Sequence, residues 1–189
     1  NWLPHRVSVS SLVRFFEDPE AFLQDQLRPM PPRYSEAATL GTELHSFIEE
    51  SLNNEIVTEP AEQIAAMVER FTNSRFGGQT ARFIEQPIEF QLAGLTVVCK
   101  LDAVFESSGE FEIVDWKSGT SPDASKLAAR KIQLALYRIA LSEWLGIPLE
   151  RIRASFFYAS DGSELSPADL PSKRDLETKL EALRKARQD

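Results

Sequence analysis

Three runs rich in β-branched and aromatic residues follow one another between Glu85 and Lys117, and they restrict the possible architectures more than any other part of the chain. Glu85 to Leu92, Leu95 to Phe105 and Glu110 to Lys117 have the composition of strands, and Ala93-Gly94 and Ser107-Ser108-Gly109 supply turns between them. A three-stranded meander results. A helix from about Asp123 to Leu145 comes next, ending near Gly146 with Pro148 beyond it, and Arg151 to Ala159 returns as a fourth strand.

The residues before this block carry helical spacing instead. Ser10 is expected to cap a short helix bearing Leu12, Val13, Phe15 and Phe16, and Asp18-Pro19 to open a second that runs to about Leu27. Pro29, Pro31 and Pro32 make an extended connector that no helix crosses. From about Thr39, Leu40, Leu44, Phe47, Ile48 and Leu52 form the apolar face of an amphipathic helix, with Gly41, His45 and Glu49 on an adjacent stripe. Another helix is expected from near Pro60 to Gly77-Gly78, and a charged helical tail from Leu170 to Gln188. This order predicts an α/β sandwich: a small mixed sheet flanked by helices. A single domain over 1–189 is expected, with a lead-in over 1–35, a core over 36–160 and a tail over 161–189.

At 189 residues and 42% hydrophobic, the chain can close one sizeable core. Its apolar runs are too short and too interrupted for a membrane span. The start has neither the pattern of a signal peptide nor an initiator Met, so a piece of a larger protein is expected. Cys99 is the one cysteine, which excludes an internal disulfide and, by itself, an iron–sulfur cluster or a cysteine-ligated zinc; a cytoplasmic setting follows as the expectation. A formal charge of −8 has the wrong sign for a free-standing nucleic-acid binder, unless another domain delivers the nucleic acid or local bases and metal ions offset the carboxylates. No phosphate-binding G-x-x-x-x-G-K-[ST] loop is present, so no bound nucleotide is expected.

Asp115 and Lys117 alternate along one strand and leave the same face, while Trp116 points the other way. Asp102, on the preceding strand, can sit beside Asp115 if the turn at Ser107-Ser108-Gly109 sets the register. Two converging carboxylates repel, and a divalent cation relieves that repulsion. Oxygen ligands favour Mg²⁺ or Mn²⁺, and an imidazole such as that of His45 tilts the choice towards Mn²⁺. Such a cluster can activate water and stabilise charge on a phosphodiester. Ordinary readings exist for each part taken alone. An Asp-x-Lys on a strand is commonly an exposed ion pair, His45 suits a helix boundary, and Gln133 with Tyr137 suits a helix surface. Lys126, Arg130, Lys131 and Arg138 near the site could contact phosphates or be plain surface charge.

In chain order, Gly41-Thr42-Glu43-Leu44-His45, Lys100-Leu101-Asp102-Ala103-Val104, Val114-Asp115-Trp116-Lys117-Ser118-Gly119 and Gln133-Leu134-Ala135-Leu136-Tyr137 resemble the four blocks of the RecB-like branch of the PD-(D/E)xK nucleases. The resemblance spans roughly residues 8 to 160. It implies a restriction-endonuclease-like fold and a metal-dependent nuclease acting on DNA, an exonuclease rather than an endonuclease. Asp102, Asp115 and Lys117 would be catalytic. The metal ligands would be His45, Asp102, Asp115 and the backbone carbonyl of Trp116; Gln133 and Tyr137 would position the catalytic strand, Lys117 or the DNA backbone. Val7-Ser8-Val9-Ser10-Ser11-Leu12 and Arg28-Pro29-Met30-Pro31 resemble nuclease domains appended to UvrD-like and AdnAB-type helicases, which implies a helicase partner, in the same or another chain, in DNA repair and recombination. Relatives often carry Gly where Cys99 stands and Arg where Ala103 stands, and the lone cysteine points to the branch without a cluster. The alternative is a nuclease-like module that guides DNA or docks a partner without cutting.

Overall fold

The computed structural model describes residues 4–27, 35–55 and 59–186, so the expected proline connector at Pro29, Pro31 and Pro32 lies outside the described residues. The described residues form six strands and six α-helices, in the order β1 (Arg6–Ser8), α1 (Val9–Glu17), α2 (Pro19–Leu27), α3 (Glu36–Leu52), α4 (Ala65–Thr72), β2 (Phe83–Leu92), β3 (Leu95–Ser107), β4 (Glu110–Lys117), α5 (Ala124–Leu145), β5 (Ile152–Tyr158), β6 (Ser163–Leu165) and α6 (Lys173–Lys185).

The meander is present, with β2, β3 and β4 antiparallel, and β5 returns parallel to β4 after the α5 crossover. Sequence spacing missed β1, which pairs parallel with β3, and β6, which pairs antiparallel with β5. Three residues are too few to show alternation. Helix limits shifted for local reasons. The cap of α1 is Ser8 rather than Ser10, because Ser8 Oγ accepts from the Ser11 amide and β1 runs straight into the helix. α3 starts three residues before Thr39. α4 starts at Ala65 rather than Pro60, preceded by a turn in which the Ile64 amide donates to the Ala61 carbonyl. Asp18 caps α2 with one carboxylate oxygen accepting from the Glu20 and Ala21 amides, and Asp123 caps α5 in the same way. Gly146 ends α5 at φ 66°, a left-handed conformation that glycine adopts without strain. The tail is tied down as α6 by a Ser172/Asp175 capping box and by burial of Leu176 and Leu180.

The sheet is covered on both faces. One face packs against α1, α5 and α6 through residues such as Leu12, Phe15, Val97, Ile113, Leu136, Phe156 and Leu180. The other packs against α3 and α4 through Leu44, Ile48, Phe71, Phe76, Ala103, Val114, Trp116 and Phe157. Trp116 lies edge-on to Phe71, Phe76 and Phe157 with ring centres 5.3–6.0 Å apart, contacts worth about 0.5–1.5 kcal/mol each beyond area burial.

One irregularity positions everything that follows. Strand β3 has β2 along one edge, while its other edge is shared by β1 at Thr96–Val98 and by β4 at Ala103–Ser107. Between these, the edge from Cys99 to Asp102 has no partner strand among the described residues. At that fork the alternation of faces inverts. Leu95, Val97 and Leu101 face the α5 side, but beyond Asp102 it is Val104 that does so, and Ala103 and Phe105 face α3 and α4. β2 inverts in step: Ile88, Phe90 and Leu92 face α5, while Ile84 faces α3. The register is unbroken on either side, so the inversion falls on Glu85 opposite Asp102, and Glu85 takes φ 49°. A glutamate with positive φ in a strand is strained, and such strain persists only where the surroundings impose it.

Candidate functional site

Two tight hairpins set the row of acids. The Ala93-Gly94 turn places Leu92 opposite Leu95, and the same count carried back seven residues places Glu85 opposite Asp102. The Ser108-Gly109 turn, with φ 54° and 79°, places Ser107 opposite Glu110, and carried back five residues it places Asp102 opposite Asp115. Three acidic residues therefore occupy one row of positions across β2, β3 and β4. They sit where the ladder gives way: β3 and β4 part after the Ala103–Val114 pair, and the Trp116 amide donates to Asp102 Oδ2 at 2.9 Å in place of a backbone carbonyl.

His45 reaches the fork from α3. Its Nε2–H donates to the Trp116 carbonyl at 2.8 Å, since that oxygen can only accept. In the neutral ring Nδ1 then carries a lone pair, and it stands 3.6 Å from Asp102 Oδ2. A lone pair facing a carboxylate oxygen is repulsive unless a metal cation or a proton lies between them. Ligand atoms of His45, Glu85 and Asp102 all lie within 4.8 Å of one another. One imidazole nitrogen with carboxylate oxygens is a donor set suited to Mn²⁺ or Mg²⁺.

Asp115 faces the other way, towards α5. It is only 5% exposed; its Oδ2 is 3.5 Å from Gln133 Nε2, and Lys117 Nζ stands 2.7 Å from its Oδ1. The lysine contact is not aligned as a hydrogen bond, which leaves Oδ1 fully shielded from solvent and unbonded. Such an atom is costly to bury without a partner, and it fits a cation site. Gln133 Nε2 also donates to the Tyr137 hydroxyl at 2.9 Å, and both side chains are buried, so neither is a helix-surface residue. Asp115 is not one of the close trio with His45; the fork turns its carboxylate to the α5 side of the sheet.

Electrostatics express the crowding. Burial pushes the Asp102 carboxyl well above its ordinary range, the Asp115 charge adds to the rise, and the Trp116 amide and Lys117 oppose it. Burial raises the Tyr137 phenol too, with Asp115 adding, so it stays protonated. The Cys99 thiol is pushed up to about 12 by burial, which makes it a packing group rather than a nucleophile.

Glu85 was missed by motif and spacing, since strand composition marked it only as the start of a run. The hairpin count through Ala93-Gly94 was the signal that could have found it. Its side chain is mostly buried and ion-paired with Lys100. Glu85 and Lys100 form one wall of an open cleft of about 420 Å³, and Gly41, Thr42, His45 and Glu49 of α3 form the other. The polar stripe of that helix thus lines the approach to the fork.

A mixed sheet between helical layers, with an Asp-x-Lys strand beside an acidic one and a glutamine from the crossover helix, defines a nuclease-type α/β sandwich. The PD-(D/E)XK nuclease superfamily profile matches residues 17–189, and the chain belongs to that superfamily, with its restriction-endonuclease-like fold. No curated protein matches. Among solved structures, the chain is similar to the protein named "Putative exonuclease" from Eubacterium rectale, at 17% identity and a TM-score of 0.63, over 96% of this chain and 78% of that one. It is also similar to SSO0001, at 15% identity and a TM-score of 0.51, over 97% and 77%. At these identities the likeness is one of fold. Among the described residues no helix is long and apolar enough to cross a membrane.

Proposed function

We propose that this chain is a divalent-metal-dependent deoxyribonuclease domain that hydrolyses phosphodiester bonds of DNA strands. One observation carries the reading: His45, Glu85 and Asp102 converge at the strand fork beside the Trp116 peptide, with Asp115 and Lys117 adjoining them. Asp102, Asp115 and Lys117 are the catalytic groups. His45, Asp102, Asp115 and the Trp116 carbonyl, joined by Glu85, would hold Mg²⁺ or Mn²⁺, and the bound ion supplies charge stabilisation on the phosphate and an activated water. Lys117 orients that water or takes its proton. Asp102 Oδ2 holds the Trp116 amide, while the Trp116 carbonyl, in the next peptide unit, is held by His45 Nε2–H. Gln133 and Tyr137 hold the Asp115 carboxylate on the α5 side.

Exonucleolytic action is the reading supported by the name of the Eubacterium rectale relative. Work beside a helicase in cytoplasmic DNA repair and recombination is supported by the likeness of the Val7–Leu12 and Arg28–Pro31 stretches to helicase-appended nuclease domains, and it accommodates a charge of −8, because the motor delivers the strand. Labelled single- and double-stranded DNA incubated with Mg²⁺ or Mn²⁺ tests the activity. The expected result is metal-dependent cleavage by the wild type and none by Asp115→Ala. Absence of cleavage in the wild type would assign the fold to strand guiding or partner docking instead.

A further inference from the structure

We infer that Arg130 binds a phosphate of the substrate strand on the α5 side of the fork; the inference rests on the nuclease reading and adds the group that grips the backbone. Of the four basic residues that α5 offers near the site, two have their side chains engaged and a third is exposed to solvent. Lys131 is paired with Asp169 at 2.6 Å. Arg138 donates to the Leu149 and Ile152 carbonyls at 2.6 and 2.8 Å and so fastens the turn before β5. Lys126 lies exposed in the first turn of α5, where its backbone amide bonds the Asp123 cap.

Arg130 has no carboxylate partner among the described residues. It is half-buried, one nitrogen donates to Gln133 Oε1 at 3.2 Å, and its guanidinium lies 5.7 Å from the centre of the Phe156 ring. Lys117 Nζ lies 5.2 Å from the same ring centre. Two cations are therefore gathered around one aromatic ring, next to the carboxylate row. Asp115 already pairs with Lys117 at 2.7 Å, so Arg130 is the one of these two cations with no carboxylate beside it. The guanidinium keeps most of its donors free in a planar fork that matches a phosphate. Its position is also held from below, since Gln133 is tied to Asp115 and Tyr137. A strand crossing the fork would thus meet the acids and bound cation at β3 and β4 and a fixed guanidinium on the α5 side.

The test measures binding of a labelled single-stranded oligonucleotide with Ca²⁺ as the cation, so that the strand is held uncut, over a series of salt concentrations. Arg130→Gln is expected to weaken binding about tenfold. It should also lower the slope of log affinity against log salt by about 0.7, the loss of one phosphate contact. Arg130→Lys is expected to keep the slope, because it keeps the charge; Arg130→Ala, which also removes the charge, serves if Arg130→Gln unfolds and is expected to lower the slope by the same amount. A role confined to holding Gln133 would leave the salt slope unmoved, and an unchanged slope in Arg130→Gln overturns the inference. Cleavage by the wild type together with an unchanged slope sinks this inference alone. An Arg130-dependent slope without cleavage sinks the nuclease reading and leaves phosphate binding standing.

Discussion

Lys117 ends the strand on which Asp115 sits, and their alternate positions put an ammonium 2.7 Å from a carboxylate oxygen that has no hydrogen bond. The pair is largely buried, so it is not the exposed ion pair that an isolated Asp-x-Lys suggests. Lys117→Ala is expected to reduce cleavage by about 10²–10⁴-fold, the range for a positioned proton-transfer group. Mn²⁺ binding by titration calorimetry should change little, because the lysine is not a ligand; undiminished cleavage in this variant would remove Lys117 from the mechanism. Glu85 illustrates what spacing cannot show. Its chemistry comes from standing opposite Asp102 at a strained φ, a property of the pairing of two strands rather than of its neighbours in sequence.

At the scale of elements, a second polar network braces the sheet away from the fork. Glu112 of β4 accepts from both terminal nitrogens of Arg75 at 2.7 Å and from Ser155 of β5 at 2.8 Å, and Arg75 reaches on to Glu164 of β6. It joins the segment after α4 to three strands. Burial alone would raise the Glu112 carboxyl, but the bonds from Arg75 and Ser155 outweigh it and hold the group below its usual range. A depressed folded value means stability that is present above the unfolded value and is lost as pH falls through the folded one. Glu112→Gln is therefore expected to lower stability at pH 7 by about 1–3 kcal/mol, a range reduced from that of a fully buried pair because Arg75 is partly exposed. Urea unfolding at pH 7 and at pH 3 checks this. The gap from wild type should narrow in acid, and a gap independent of pH would contradict the assigned cause. The long elements α5 and the β2–β4 meander were legible in sequence, because their caps, turns and periodicity are local. β1 and β6 were not, since each is a three-residue strand that exists only by pairing with a neighbour far along the chain.

Across the whole molecule, a row of three acidic positions in a chain of net charge −8 is expected to make the fold itself responsive to cations. A cation that binds only the folded state stabilises it by about 2.7 kcal/mol at a hundred times its Kd. For a chain of this size that corresponds to a rise of about 5–10 °C in Tm. Thermal unfolding with increasing Mn²⁺ should show this rise in the wild type and lose it in Asp102→Asn; an equal rise in the variant would place the ion elsewhere. The order and type of the main elements, the places of the two hairpin turns and the candidacy of Asp102, Asp115, Lys117, His45, Gln133 and Tyr137 were legible along the chain, because periodicity, turns and motif blocks are written within short stretches. The rest, hairpin registers included, came from contacts across the fold. The tertiary structure opened the fork between β3 and β4, added Glu85 to the site, set Asp115 beside Gln133 of α5, tied the Trp116 amide to Asp102 and the Trp116 carbonyl to His45, and left Arg130 half-buried beside the site with no carboxylate partner among the described residues. Each of these depends on which strand edge lacks a partner and which side chain meets which across the sheet, and such contacts join residues that chain order keeps apart.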